Sequence, residues 1–186
     1  MQTVVRTIGK FSFILLSILL ITTTNVRAAA RDITPESVLV AVNQTRMENR
    51  LPALSMNQKL MIAAENKGEN MQTYGYWAHT NPKTNETGWM FIQQTGYHYT
   101  KAGENLAKDY TSIGGLLNGW MNSTAHKTVM LSDTYTETGI GVLYYMQNGI
   151  EKALVVELFA NPIVKKQTFT TSLSLAFTSL LQTITL

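Results

Sequence analysis

The sequence predicts an α+β fold, an α-β-α sandwich on a central antiparallel sheet, and three observations carry that prediction. Helical periodicity dominates the chain between its leader and residue 131. The stretch from Thr138 to Ala160 changes to strand periodicity around a tight Asn148-Gly149 turn. The returning strand is apolar on both faces, with Leu154, Val156 and Leu158 on one and Ala153, Val155 and Phe159 on the other. A strand apolar on two faces must be covered on two faces, and helices are the elements available to cover it.

Each element has a local cause. Thr34-Pro35-Glu36 combines a hydroxyl cap, a proline at the first turn and an acid near the positive dipole end, so a helix opens there. Val38, Leu39 and Val42 give it an apolar stripe, and it ends near Glu48, before Pro52. A second helix runs from about Asn57 to Tyr74, with Leu60, Met61, Ala64, Gly68 and Met71 on one side. Asn85 is placed to cap a short third helix ended by Gly96. In the fourth helix, Ile113, Leu116, Leu117, Trp120 and Met121 follow the i, i+3, i+4, i+7, i+8 pattern. Thr124 is the expected cap of a last short helix that carries His126. Asn148-Gly149 then joins two strands through a primed turn.

The two ends read differently from the middle. Residues 1–30 have the form of an export signal: basic Arg6 and Lys10, an apolar run of 11 residues from Phe11 to Ile21, then the small residues Ala28-Ala29-Ala30. The run falls short of the roughly 20 residues that a membrane span needs. The formal net charge of +3 belongs to this leader, whose Arg6, Lys10 and Arg27 leave 12 basic against 12 acidic residues in the remainder. A neutral mature chain argues against a nucleic-acid partner, for which a basic patch is the expected footprint. There is no cysteine, so neither disulfides nor thiolate chemistry is available. The tail, 163–186, is uncharged from Thr168 onward, and its last 19 residues contain nine Ser or Thr, too polar for a convincing span. It is expected to lie weakly on a membrane, to pack on the domain, or to stay loosely ordered.

The chemistry concentrates in three short segments, Tyr76-Trp77-Ala78-His79, Gly103-Glu104-Asn105-Leu106-Ala107 and Trp120-Met121-Asn122-Ser123-Thr124-Ala125-His126. His79, Glu104 and His126 are separated by 25 and 22 residues, too far for one helix to present them together. If they meet, the fold brings them together in a cleft. Two imidazoles and a carboxylate form a ligand set for a divalent metal. They equally form a closed hydrogen-bonded group that needs no metal. A Ser123-His126-Glu104 triad is rejected, because a serine nucleophile sits on a strained, exposed turn and Ser123 stands at a helix end. Glu86 is assigned to a solvated turn and His98 to the surface. Glu157 shares the strand face of Ala153, Val155 and Phe159, an odd place for a charge. A role near the cleft and an exit to solvent at the sheet end both stay open for it.

From Val38 to Pro162 the chain resembles the CAP superfamily, the cysteine-rich secretory, antigen-five and pathogenesis-related proteins, in its cysteine-poor bacterial branch. The resemblance rests on an ordered set: Val42-Asn43-Gln44-Thr45-Arg46, Leu51-Pro52-Ala53-Leu54, Ala78-His79, Ala102 to Ala107, Trp120-Met121-Asn122-Ser123 with His126, Thr138 to Val142, and Glu157-Leu158-Phe159. It implies an α-β-α sandwich with an open cleft, and a domain over 33–162. It also implies that His79, Glu104 and His126 face that cleft, where some members bind a divalent metal such as zinc. Ser123 stands where many members carry a second acid, and Asn105 and Trp120 brace the wall. The expected protein is an exported, extracellular or cell-surface monomer that binds a lipid, peptide or cell-wall ligand, with the metal optional. A metal-dependent hydrolase of peptides or wall material and a tail-tethered adhesion module are the competing expectations.

Overall fold

The computed structural model describes residues 31–163; the leader and the tail from residue 164 lie outside the described residues. Nine elements follow in chain order: α1 (Pro35–Glu48), β1 (Ser55–Met56), α2 (Gln58–Tyr74), α3 (Gly88–Gln94), β2 (Tyr99–Tyr110), α4 (Ile113–Asn122), α5 (Thr124–Met130), β3 (Glu137–Gln147) and β4 (Ile150–Pro162). The strands form one sheet in the order β1-β3-β4-β2. β4 pairs antiparallel with β3 and with β2, and the two-residue β1 adds to β3 in parallel.

The two-faced character of β4 builds the layers. Ala153, Val155 and Phe159 pack with Val38, Val42, Leu116, Trp120 and Met130 from α1, α4 and α5. Leu154, Val156, Leu158 and Ala160 pack with Leu60, Ala64, Met71, Phe91 and Ile92 from α2 and α3. This is the predicted sandwich, with β4 in its middle.

Local signals set most of the ends. Thr34 and Ser37 exchange side-chain and backbone bonds in a capping box. Asn148 and Gly149, with φ of 53° and 76°, turn β3 into β4, as a primed hairpin requires. Two expected caps are corrected. Thr87, not Asn85, precedes α3, and Asn85 instead sits at φ 61° inside the loop. Ser123 caps α5 by accepting from the His126 amide, so Thr124 is the first helical residue. Tyr99–Tyr110, to which the sequence patterns assign no element, is a 12-residue strand.

The Thr138-Gly139-Ile140-Gly141 stretch has a steric purpose. A Cβ at Gly139 would lie 2.0 Å from the Leu60 carbonyl carbon, and one at Gly141 2.6 Å from that of Ala64. Helix α2 therefore rests its backbone directly on β3. Gly139→Ala must push helix from sheet, and the expected cost is about 2–3 kcal/mol in urea unfolding.

Candidate functional site

The connection from α2 to α3 is held by a network of buried and half-buried polar groups. Lys67, fully buried on α2, donates from Nζ to the Tyr76 hydroxyl and to the His79 carbonyl, both at 3.0 Å. The Tyr76 hydroxyl donates to Asn70 Oδ1 at 2.7 Å, which also accepts from Asn81 Nδ2 at 2.9 Å. Asn70 Nδ2 in turn donates to Glu86 Oε2 at 3.0 Å. Glu86 thus anchors the loop rather than merely facing water. Burial lowers the Lys67 pKa, opposed by the charges of Glu104 and Glu86. Burial, reinforced by those same carboxylates, pushes the Tyr76 phenol up to about 12.

This network fixes the backbone of His79, and β2 supplies its partner. Glu104 is buried, with only 3% of its side chain exposed, whereas 65% of the His79 side chain is. His79 Nδ1 and Glu104 Oε1 lie 2.5 Å apart. Desolvation raises the Glu104 pKa; the His79 hydrogen bond and the charges of Lys67 and His79 pull it back. Glu104 Oε2 is buried without a hydrogen-bond partner. It fits only because Gly88 carries no side chain, since a Cβ there would meet Oε2 at 2.4 Å.

The pair lines a cleft of about 330 Å³ together with Gly88 and Trp89 on one side and Val129 and Tyr135 on the other. A larger hollow of about 740 Å³, bordered by Leu51, Met121, Lys127 and Asp133, includes neither His79 nor Glu104. Chemistry rather than size selects the smaller one.

The remaining predicted residues neither line this cleft nor hydrogen-bond to the pair. His126 on α5 is half-buried; burial and the charge of His79 lower its pKa. No hydrogen bond joins its ring to His79 or Glu104, and its carbonyl accepts from Asn105 Nδ2 at 3.0 Å. Asn105 is fully buried. Trp120 is a core residue, 1% exposed, whose Nε1 donates to the Leu106 carbonyl at 3.2 Å. Ser123 Oγ is occupied as the α5 cap. His98 is exposed, as expected. Glu157 is fully buried, which corrects the solvent-exit reading.

Two imidazoles and a carboxylate are a suitable donor set for zinc in their chemistry. The geometry fits less well: Glu104 Oε1 is engaged by His79, and among the described residues no three His, Asp or Glu side chains gather closely enough to hold an ion.

The sequence reading missed three residues of this site, Lys67, Trp89 and Tyr135, and it singled out the segment of Tyr76 without giving that residue a role. Lys67 had a signal, since it falls on the apolar stripe of α2 between Ala64 and Met71, where an unpaired lysine would not be tolerated.

A two-layered helical cover on a short sheet, with a histidine–glutamate pair at the edge strand, defines a CAP-type domain. The model of the CAP family, described as "Cysteine-rich secretory protein family", matches residues 39–158, and the chain belongs to that family. The absence of cysteine fits its cysteine-poor branch. Among curated proteins, the chain is similar to the uncharacterized membrane protein YlbC of Bacillus subtilis, 29% identical over 119 residues, covering 63% of this chain and 34% of that protein. It is also similar to the uncharacterized protein YkwD of the same organism, 28% identical over 114 residues, covering 61% and 43%. The match thus spans less than half the length of either relative. Among solved structures, the fold matches an extracellular protein containing a SCP domain from Bacillus anthracis, with a TM-score of 0.59, 23% identity, and 68% and 39% of the two chains covered. It matches an outer surface protein from Borrelia burgdorferi with a TM-score of 0.58, 19% identity, and 68% and 91% covered.

Proposed function

We propose that this chain is an exported ligand-binding module whose cleft takes its ligand against Trp89 and the His79–Glu104 pair. One observation carries the reading: a carboxylate is kept desolvated in the wall of a cleft, with one oxygen unpartnered and the other held by an exposed imidazole. Burying such a group costs folding free energy, and perturbed acids of this kind concentrate at functional sites. The volume of about 330 Å³ falls in the range of small-ligand sites. Binding is favoured over hydrolysis because Ser123 Oγ is spent on a helix cap and, among the described residues, no hydrogen bond joins a Ser, Thr or Tyr hydroxyl to the His79 ring as a general base would need. An extracellular or cell-surface location is consistent with the structural relatives described as extracellular or outer surface proteins.

The test is an NMR screen of the chain against lipid, peptide and cell-wall fragments. Shifts are expected to centre on His79, Trp89 and Gly103, and His79→Ala is expected to weaken the hit by about tenfold, the worth of one charge-assisted hydrogen bond. Shifts confined to the hollow beside Met121 and Lys127 would refute the assignment. Calorimetric zinc titration of the parent, His79→Ala and His126→Ala decides whether a metal joins the ligand. Uptake abolished by either change would add a zinc ion to the cleft.

A further inference from the structure

Resting on that cleft reading, we infer that the ligand is an extended peptide that adds as a strand to the outer edge of β2 at Ala102–Glu104. The direction of the backbone groups follows through the whole sheet. Ser55 N donates to the Thr136 carbonyl and Asn57 N to that of Thr138, so Thr138 in β3 faces β1; Thr136, just before the strand, is split, its carbonyl toward β1 and its amide donating to the Ala160 carbonyl of β4 at 3.1 Å. The odd-numbered Glu137, Gly139 and Gly141 face β4, where they pair with Ala160, Leu158 and Val156. The alternate residues of β4, Phe159, Glu157 and Val155, face β2 and pair with Gly103, Asn105 and Ala107. Antiparallel ladders alternate in this way. Ala102, Glu104 and Leu106 therefore turn their N–H and C=O groups away from the sheet.

Two contacts confirm that direction independently. The Leu106 carbonyl accepts from Trp120 Nε1 and the Ala102 carbonyl from the Tyr135 hydroxyl, each at 3.2 Å. Glu104 lies between them, and among the described residues no hydrogen bond reaches its outward amide or carbonyl. A donor and an acceptor are thus left facing the cleft, and peptide units repeat that pair along an extended strand. A lipid chain has neither group. Backbone groups so placed are normally paired, and an open edge of this kind is a template for another strand.

The walls suit the same occupant. A strand's side chains alternate between the two faces. On the α3 face they would meet Trp89, 37% exposed, and His79. On the α5 face they would meet Val129 and Tyr135. Gly103 brings this second wall close, since a Cβ there would lie 2.8 Å from the Tyr135 hydroxyl oxygen and 2.9 Å from Val129. Trp120 closes the edge at the Leu106 carbonyl and Tyr135 occupies that of Ala102, which leaves the Ala102 amide and both outward groups of Glu104 for an added strand.

The probe is a pool of acetylated, amidated hexapeptides of alternating Thr and Val, added to the full chain. Hydrogen exchange at the Ala102 and Glu104 amides is expected to slow about tenfold or more. N-methylation of one alternate set of peptide residues is expected to weaken binding about tenfold, and of the other set to leave it unchanged. Ala102→Pro is expected to abolish binding. Its thermal unfolding should stay near the parent's, because the lost amide lies outside the ladder. Peptides that shift His79 and Trp89 but ignore N-methylation would overturn strand addition and leave the cleft reading standing. Cleft binding of lipid or glycan fragments without peptide binding would do the same. Dimerisation in sedimentation that Ala102→Pro abolishes would assign the edge to a second copy and overturn the peptide proposal. Absence of any ligand of any class from the cleft would overturn both readings.

Discussion

Arg46→Met is expected to remove about 4–5 kcal/mol of stability, leaving a domain of this size close to its unfolding threshold. Arg46 follows Val38 and Val42 on the buried stripe of α1 and is itself fully buried. Its guanidinium donates to four backbone carbonyls and to no carboxylate: Nε to Pro52 at 2.9 Å, Nη1 to Met130 at 2.8 Å and Ser132 at 2.9 Å, and Nη2 to Tyr135 at 3.3 Å. Burial lowers its pKa, with Glu157 and Asp133 opposing, yet guanidinium stays charged at any pH the protein meets. Methionine fills the volume of the side chain and leaves all four carbonyls without this donor. Arg46→Lys should recover less than half of the loss, because one ammonium cannot span acceptors that a planar fork reaches together. Urea midpoints of the three proteins provide the check, and a loss below about 1 kcal/mol for methionine would show the bonds to be redundant. The same residue reaches the cleft indirectly, since it ties α1 to the segment that carries Val129 and Tyr135.

The sandwich was legible in the sequence wherever periodicity and turn chemistry agreed, as in α1, α2, α4 and the Asn148-Gly149 hairpin. Strand β2 was not legible for a physical reason. Its residues, Tyr-Thr-Lys-Ala-Gly-Glu-Asn-Leu-Ala-Lys-Asp-Tyr, are rich in types depleted from strands. Tertiary pairing with β4 holds them extended, apart from Asp109 at φ 72° where the register shifts, and Trp120 and Tyr135 satisfy part of the outer edge. The cap of α3 misled because Asn85 and Thr87 are both good caps by type, and the loop that Asn81 and Glu86 anchor decided between them. In the site, the residue types of His79 and Glu104 were readable but their distance was not. That distance depends on Lys67, which holds the His79 carbonyl from inside a helix.

Glu157→Gln is expected to stabilise the domain at pH 8 and above while changing little near pH 4.5. Glu157 lies fully buried on the central strand, and desolvation pushes its carboxyl from 4.5 up to about 8, against the Thr138 hydrogen bond and the positive charge of Arg46. The geometry agrees with a neutral acid. Thr138 Oγ1 lies 3.0 Å from the Leu158 carbonyl and 3.1 Å from Glu157 Oε1, but a hydroxyl has one proton. If that proton goes to Leu158, the second contact needs a proton from Glu157. Between the unfolded value near 4.5 and the folded value near 8, the folded chain binds more protons than the unfolded one. Stability associated with this group is therefore fully present below pH 4.5 and declines as pH rises toward 8, by about 3–5 kcal/mol in total. Glutamine keeps the shape and cannot ionise, so its urea midpoint should lack this part of the decline. Its extra N–H offsets about 1 kcal/mol of the gain where no acceptor faces it. Unfolding of both proteins from pH 4.5 to 9 checks the prediction. Parallel curves would mean that Glu157 ionises in the folded domain at the same pH as in the unfolded chain. That outcome would require a compensating charge closer than Arg46, which forms no salt bridge with it among the described residues.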